Sequence, residues 1–431
     1  MDHIHHDCDV LIDKGRIVSI GQNLAAPEGI EVIDAGGCAV IPGLVNPHTH
    51  LYQNFLKGMS PGLPLVPWCN EVLFPSVRAL TEQFQQENNR PAYLWSACAA
   101  IEMIKGGITC CLDMDHINEQ SFYAWQDIGL RGVVGFVLAN QWIPEELLGD
   151  EEKTREKAVE FIEKWHQPGS LVQVCLSPST VFLCDDNLLL WAGEQAEKYD
   201  LGIQIHVSEI AGEVQDTLDD RGMTPVELLG DLGLLSPRLS AVHCVHVSAS
   251  DIERLANSGG SVVHCPKSNM KLADGIAPVF EMKEAGIHLS VGTDGCASND
   301  LLDLWEEMRA AVLLARVAAN NAEALSARDA FRMATIAAAN VCRIEAGEIF
   351  PGRLADLAII ELNGAHLRPF HADKLLEMLV FCARAGDVRD TIINGEIVMR
   401  NRQIQRINEP EILQEAEEVE AVLYARRSDF S

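Results

Sequence analysis

Two histidines one residue apart, His48-Thr49-His50, close a short apolar run that starts at Leu44. In an extended strand residues i and i+2 share a face, so both imidazoles can address one ion. His206 ends another apolar run, His243 falls within a third, and Asp294 follows a fourth. A catalytic divalent ion needs about this: four nitrogen or oxygen ligands from several strands and an open position for water. His48, His50, His206 and Asp294 are assigned as that set. Such an ion lowers the pKa of water toward neutrality and so provides a nucleophile at physiological pH. Hydrolysing a stable aromatic C–N bond also requires a proton on the ring nitrogen and another on the leaving amine. Glu209, three residues beyond His206 in His-Val-Ser-Glu, can reach over the site as general acid/base. His243 then orients the water or polarises the developing tetrahedral centre.

Each piece has a plainer reading. A lone His-X-His is more often a satisfied core or surface feature than a ligand pair, and the acidic stretch 209–220 could be a solvated helix face. The joint pattern favours a metal site, because each group falls at the end of a correctly ordered strand. His3, His5 and His6 mimic a cluster, but an unanchored chain start explains them better.

Eight short apolar runs can act as those strands: Leu44–Thr49, Thr109–Asp113, Gly132–Leu138, Val172–Leu176, Gly202–Val207, Ser240–Val245, Ser261–His264 and His288–Thr293. They alternate with helix-like segments such as Ala92–Lys105 and Asp251–Asn257, the signature of strand-then-helix units around a parallel sheet. Eight is the number of a closed (β/α)8 barrel, whose active site lies at the carboxyl ends of its strands. β-branched runs broken by glycine recur at both chain ends, as in Arg16–Ile20 and Ala355–Ile360, and read as short antiparallel strands. The expected organisation is a barrel over 42–344, a small flanking β-sandwich from 1–41 and 345–404, and a helical tail over 405–431. The segment Leu301–Cys342 reads as an insertion after the eighth strand plus the closing helix.

Composition narrows the partners. A formal charge of -30 opposes a long phosphate-tracking surface, so nucleic acid is not expected. The thirteen cysteines form no CxxC pair and no small-scaffold disulfide spacing, which fits reduced thiols. No signal-peptide pattern opens the chain and no run of eighteen apolar residues occurs, so no membrane contact and a cytoplasmic location are expected.

Pro42-Gly43-Leu44-Val45-Asn46-Pro47-His48-Thr49-His50 resembles the opening metal motif of the amidohydrolase superfamily. The run His264-Cys265-Pro266-Lys267-Ser268-Asn269-Met270-Lys271-Leu272-Ala273-Asp274-Gly275-Ile276-Ala277-Pro278-Val279, with Gly292-Thr293-Asp294-Gly295-Cys296-Ala297-Ser298-Asn299-Asp300, narrows the resemblance to its aminohydrolase branch. That branch holds methylthioadenosine/S-adenosylhomocysteine deaminases, 8-oxoguanine deaminase and s-triazine hydrolases such as atrazine chlorohydrolase. The resemblance runs from about Asp9 to Ile404. It implies a metal-bearing barrel with a flanking β-sandwich and one divalent ion, zinc or alternatively iron. His48, His50, His206 and Asp294 would be ligands, Glu209 and His243 catalytic, and Asp294 would also take a proton from the attacking water.

The implied reaction is release of ammonia from an amino-substituted N-heteroaromatic compound of purine, pterin or s-triazine type. Displacement of chloride, alkylamine or thioether from an s-triazine is the alternative, and a non-catalytic scaffold a second. Gln53, His264 and Asn299 are candidates for contact with the small heteroaromatic substrate; for His264 packing is an equal alternative. Leu176-Ser177-Pro178-Ser179-Thr180 departs from the His-Ala-Pro-Tyr-Thr-like run of methylthioadenosine deaminases, which puts a purine or ribose contact in doubt. The loop Leu51–Met59 is nearer the triazine and oxoguanine members. Relatives commonly dimerise through the loop that here carries Trp68, Leu73 and Phe74, so a homo-oligomer is expected.

Overall fold

The computed structural model describes residues 4–59, 62–86, 89–115, 119–145 and 147–427. His3 of the N-terminal histidine group lies outside them. An antiparallel hairpin, β1 (Asp9–Asp13) and β2 (Arg16–Gly21), precedes β3 (Cys38–Pro42). The barrel strands follow: β4 (Leu44–Thr49), β5 (Ile108–Asp115), β6 (Arg131–Leu138), β7 (Val172–Pro178), β8 (Ile203–Val207), β9 (Leu239–His243), β10 (Ser261–His264) and β11 (His288–Val291). They form one parallel sheet in sequence order, alternating with helices as a (β/α)8 barrel requires.

The strands β12 (Leu357–Glu361), β13 (Val388–Ile393), β14 (Glu396–Arg400) and β15 (Gln403–Ile404) join β3 in a five-stranded antiparallel sheet. Ile17 of the hairpin packs with Leu357, Ile359 and Ile392 of that sheet in a small core of its own. The two chain ends therefore build one flanking β unit. Gly43 is the step from this sheet into the barrel. A Cβ there would meet the Thr109 side chain at 2.2 Å, so only glycine lets β4 and β5 approach. Across the same junction the buried Arg131 guanidinium donates to Asp356 at 2.6 Å.

The barrel closes without a backbone ladder between β11 and β4. Asn46 Nδ2 donates to Thr293 Oγ1 at 2.7 Å, Thr293 N to Asn46 Oδ1 at 3.1 Å, and Asp294 N to His48 O at 3.1 Å. Gly292 N still bonds the His264 carbonyl of β10 at 3.0 Å, but the Thr293 and Asp294 amides turn to β4, so the eighth strand does not run on to Thr293. The sixth strand likewise stops at His243 rather than Val245, because His243 and Cys244 both take positive φ. The second and fourth strands run longer than expected, to Asp115 and Pro178.

Helices Leu304–Ala318, Ala327–Met333 and Ile336–Val341 fill the segment after the barrel. Ala338 and Ala339 of the last pack with Val45, Cys110, Leu112 and Val133 of the barrel strands. The tail helix Glu409–Arg427 lies on Arg90–Lys105, held by a forked Arg90–Glu415 pair with bonds of 2.8 and 2.6 Å. Its Leu423 enters a second apolar cluster with Phe55, Trp68 and Trp95.

Candidate active site

His48 and His50 sit at the end of β4, His206 in β8 and His243 at the end of β9, with Asp294 three residues past β11. All five are buried. The nearest ligand-type atoms of His48, His50 and His206 lie within 4.8 Å of one another, as do those of His48, His243 and Asp294. Asp294 Oδ1 is 3.4 Å from His48 Nε2 and 3.3 Å from His50 Nε2.

The far nitrogen of every ring is engaged. His48 Nδ1 meets Gln204 Oε1 at 2.8 Å, His50 Nδ1 the Met114 carbonyl at 2.9 Å, and His206 Nδ1 the Ser179 carbonyl at 2.7 Å. Each acceptor takes the Nδ1 proton, so each Nε2 presents a lone pair inward, the tautomer a ligand needs. Among the described residues the buried His48 Nε2 has no hydrogen-bond partner. Ser268 and Ser298 donate to Asp294 Oδ2 at 2.5 and 2.9 Å, and Gly295 N to Oδ1 at 2.7 Å, which fixes the carboxylate.

Burial, then the neighbouring His48, His50 and His243, drives His206 well below the usual imidazole range. Burial alone would raise Asp294, but the imidazoles of His48, His50 and His243 hold it well below the usual carboxylate range. An ionised carboxylate beside imidazoles whose Nδ1 atoms are engaged and whose Nε2 atoms point inward is a donor set that a divalent ion takes. The four residues therefore fit one ion in chemistry and in tautomer.

The amidohydrolase family model matches residues 39–398. The chain belongs to the amidohydrolase family. Among curated relatives of this amidohydrolase, the 5-methylthioadenosine/S-adenosylhomocysteine deaminase of Pyrococcus furiosus is 36% identical over 94% of both chains. Among solved structures, a zinc-bound adenosine deaminase from Xanthomonas campestris matches with a TM-score of 0.91 and 28% identity, covering 98% of this chain and 95% of that one. Zinc-bound atrazine chlorohydrolase from Arthrobacter aurescens matches at 0.90 with 25% identity, covering 97% and 96%. The amidohydrolase is a hydrolase that acts on non-peptide C–N bonds, and its His/Asp cluster offers a donor set for a divalent ion.

Glu209 lies beside that cluster. Its Oε1 is 3.5 Å from His243 Nε2, and its backbone amide donates to Glu213 Oε2 at 2.9 Å. Burial, then Asp294 and Glu213, pushes its carboxyl well above the ordinary range. His243 Nδ1 is held by Asn269 Oδ1 at 2.8 Å, leaving Nε2 for the reacting centre. His243 and Asp294 both carry positive φ, 71° and 60°. Non-glycine residues seldom adopt that conformation, and it clusters where side chains are held for function.

The substrate candidates diverge. Gln53 is buried under the metal loop and donates to Tyr52 Oη at 3.2 Å; a Cβ on Gly295 would lie 2.0 Å from its Oε1, so the loop needs glycine there. His264, buried at the end of β10, is pushed down to about 3 by burial and by His243, and its Nδ1 has no partner among the described residues. Asn299 stands behind the metal loop, its Nδ2 shared between the Thr293 carbonyl at 2.6 Å and Glu307 at 2.7 Å. Its Nδ2 thus braces the Thr293–Asp294 turn, while its buried Oδ1 has no hydrogen-bond partner among the described residues.

Sequence reasoning passed over Gln204, Ser268, Asn269 and Asp274. Gln204 is two residues before His206, on the same face of β8, so strand alternation carried a signal for it. Ser268 and Asn269 lie inside the 264–279 run but were given no role. Asp274 lies in the same run, but no strand or helix periodicity places it, because its position depends on a turn that only the fold reveals.

Proposed function

We propose that this amidohydrolase is a hydrolytic deaminase that releases ammonia from an amino-substituted N-heteroaromatic ring of purine, pterin or s-triazine type. The observation that carries the reading is the Glu209–His243 pair, 3.5 Å apart beside the four-ligand cluster. It supplies a buried proton carrier where a C–N bond would be attacked. A zinc ion, or alternatively iron, held by His48, His50, His206 and Asp294 would acidify water to give the nucleophile.

The remaining steps belong to side chains. Glu209, whose surroundings favour its protonated form, delivers a proton to the ring nitrogen next to the attacked carbon. It then takes up a proton released by water and passes it to the departing amine. His243, anchored by Asn269, supports the tetrahedral centre through Nε2. Asp294, held by Ser268, Ser298 and Gly295 N, accepts the other proton of the attacking water, and the return of that proton to Glu209 after ammonia departs restores both carboxyls.

The relative named for methylthioadenosine and S-adenosylhomocysteine makes 6-aminopurine nucleosides the first compounds to try. The likeness to atrazine chlorohydrolase supports a second reading, displacement of chloride, alkylamine or thioether from an s-triazine. Metal analysis, then a screen for ammonia and chloride release across aminopurines, aminopterins, aminopyrimidines and substituted triazines, tests both. Chloride release without ammonia release on any ring would replace the first reading by the second.

A further inference from the structure

Asp274 is a buried carboxylate that the proposed chemistry does not use. Among the described residues neither of its oxygens has a hydrogen-bond partner, and the residue is 7% exposed. Leaving a carboxyl buried and unpaired costs stability, and where it persists a ligand group is a natural partner. Its backbone is by contrast firmly tied. Asp274 N donates to the carbonyl of Asn269, the residue that anchors His243, at 2.9 Å, and His246 Nε2 bonds the Asp274 carbonyl at 2.7 Å. Ala273 before it and Gly275 after it both take positive φ, 60° and 131°. A left-handed alanine and a positive-φ glycine thus hold a carboxyl that has no hydrogen-bond partner among the described residues.

The Asp274 backbone is tied to the residue that anchors His243, and the ionisable groups interacting with its carboxyl include Glu209, His243 and Asp294 as well as the Cys69 thiol, so the carboxyl lies beside the same site. Glu209 already serves the reacting edge of the ring. A second carboxyl there matches a second edge.

We infer that Asp274 reads the substrate, pairing side by side with an N–C–NH edge of the heterocycle other than the one hydrolysed. The chemical class implied is a ring with two amidine-type edges, such as a diaminopurine, a 2-aminopterin or a di- or triamino-s-triazine, rather than a ring whose single amino group is the leaving group. Carboxyl and amidine edges complement each other in two forms, an acid on a neutral edge or a carboxylate on a protonated one, each with two parallel hydrogen bonds. Burial, then Glu209, raises the Asp274 carboxyl to about 8, so both forms are within reach near neutral pH.

The inference rests on the deaminase reading, and binding separates the two. Metal-loaded wild type, Asp274→Asn and Asp274→Leu would be titrated calorimetrically with 2-aminopurine against purine, and with 2,4-diamino-1,3,5-triazine against 2-amino-1,3,5-triazine. The expected result is that wild type binds the more aminated member of at least one pair about tenfold or more tightly. Asp274→Leu loses that preference while binding the less aminated member as before, and Asp274→Asn, which can still pair with the edge, keeps part of it. Equal binding within both pairs by wild type, or an undiminished preference in Asp274→Leu, would overturn the assignment. Absence of ammonia release alongside an intact binding preference would instead overturn the deaminase reading and leave Asp274 in place.

Discussion

Gln204 Oε1 lies 2.8 Å from His48 Nδ1. That contact decides which nitrogen of His48 faces Asp294. The amide is itself pinned, donating to the Pro47 carbonyl at 2.8 Å and to Ser240 Oγ at 3.2 Å, so the ring cannot rotate without breaking a buried network. Replacing Gln204 by Leu should keep the fold and lower metal affinity by about tenfold to a hundredfold, the usual effect of losing such a support. Competition with a graded chelator measures this; unchanged affinity would show that packing alone orients His48.

The proton carrier and the metal set should separate on mutation. Wild type should hold about one equivalent of zinc or iron, and Asp294→Ala should lose both the metal and nearly all turnover. Glu209→Gln keeps size and hydrogen bonding but cannot shuttle a proton. It should retain the metal while kcat falls at least about a hundredfold. Near-normal turnover in metal-replete Glu209→Gln would move the acid/base role elsewhere.

How much of this was legible in the sequence differs from group to group. His48 and His50 could be found because strand alternation forces i and i+2 onto one face, and Glu209 because it follows a strand-end histidine at short range. The eight barrel runs were legible because buried parallel strands read as unbroken apolar stretches. Strand ends were less so. Asp294 and His243 sit in turns whose geometry is set by bonds from Asn46, His48 and Val207, residues distant in sequence. Asp274 was invisible for the same reason: its place depends on the Asn269 carbonyl and on two positive-φ neighbours. Asn299, a candidate for substrate contact from its place in a motif, holds the Thr293 carbonyl and Glu307 through its Nδ2, while its Oδ1 has no hydrogen-bond partner among the described residues.

Glu307 offers a test in the stability of the protein. It is buried, accepts from Asn299 Nδ2 and Lys267 N, and is raised to about 8, chiefly by burial. Between its unfolded value near 4.5 and about 8 the folded state therefore holds more protons than the unfolded state at this group. Its contribution to stability is fully present at the low end of that window and is lost as pH rises. Glu307→Gln cannot ionise. Its melting temperature relative to wild type should therefore climb between about pH 5 and pH 8 and level off above, and a constant difference across that window would contradict the sign.

Assembly is the fourth expectation. Trp68 is buried against Phe55 and Trp95 within the chain, whereas Leu73 and Phe74 are only partly covered. A homo-oligomer formed through this loop should appear at micromolar concentration by light scattering, and Leu73→Glu should shift it toward monomer. A monomeric mass for wild type would count against the interface.

The junction between β11 and β4 has a mechanical consequence. Thr49 and Asp294 are 245 positions apart, yet the polypeptide there behaves as a split ring whose two lips carry the ligands. An ion held by His48, His50 and Asp294 would act as a removable cross-link, tying the first strand of the barrel to the end of its last. Tightening that link should stabilise the whole barrel, by about 1.4 kcal/mol for each tenfold excess of free ion over its dissociation constant. Stripping the ion should loosen the lips first, so that new proteolytic cuts appear near Gly292–Cys296 before any appear in the interior strands β6 and β7.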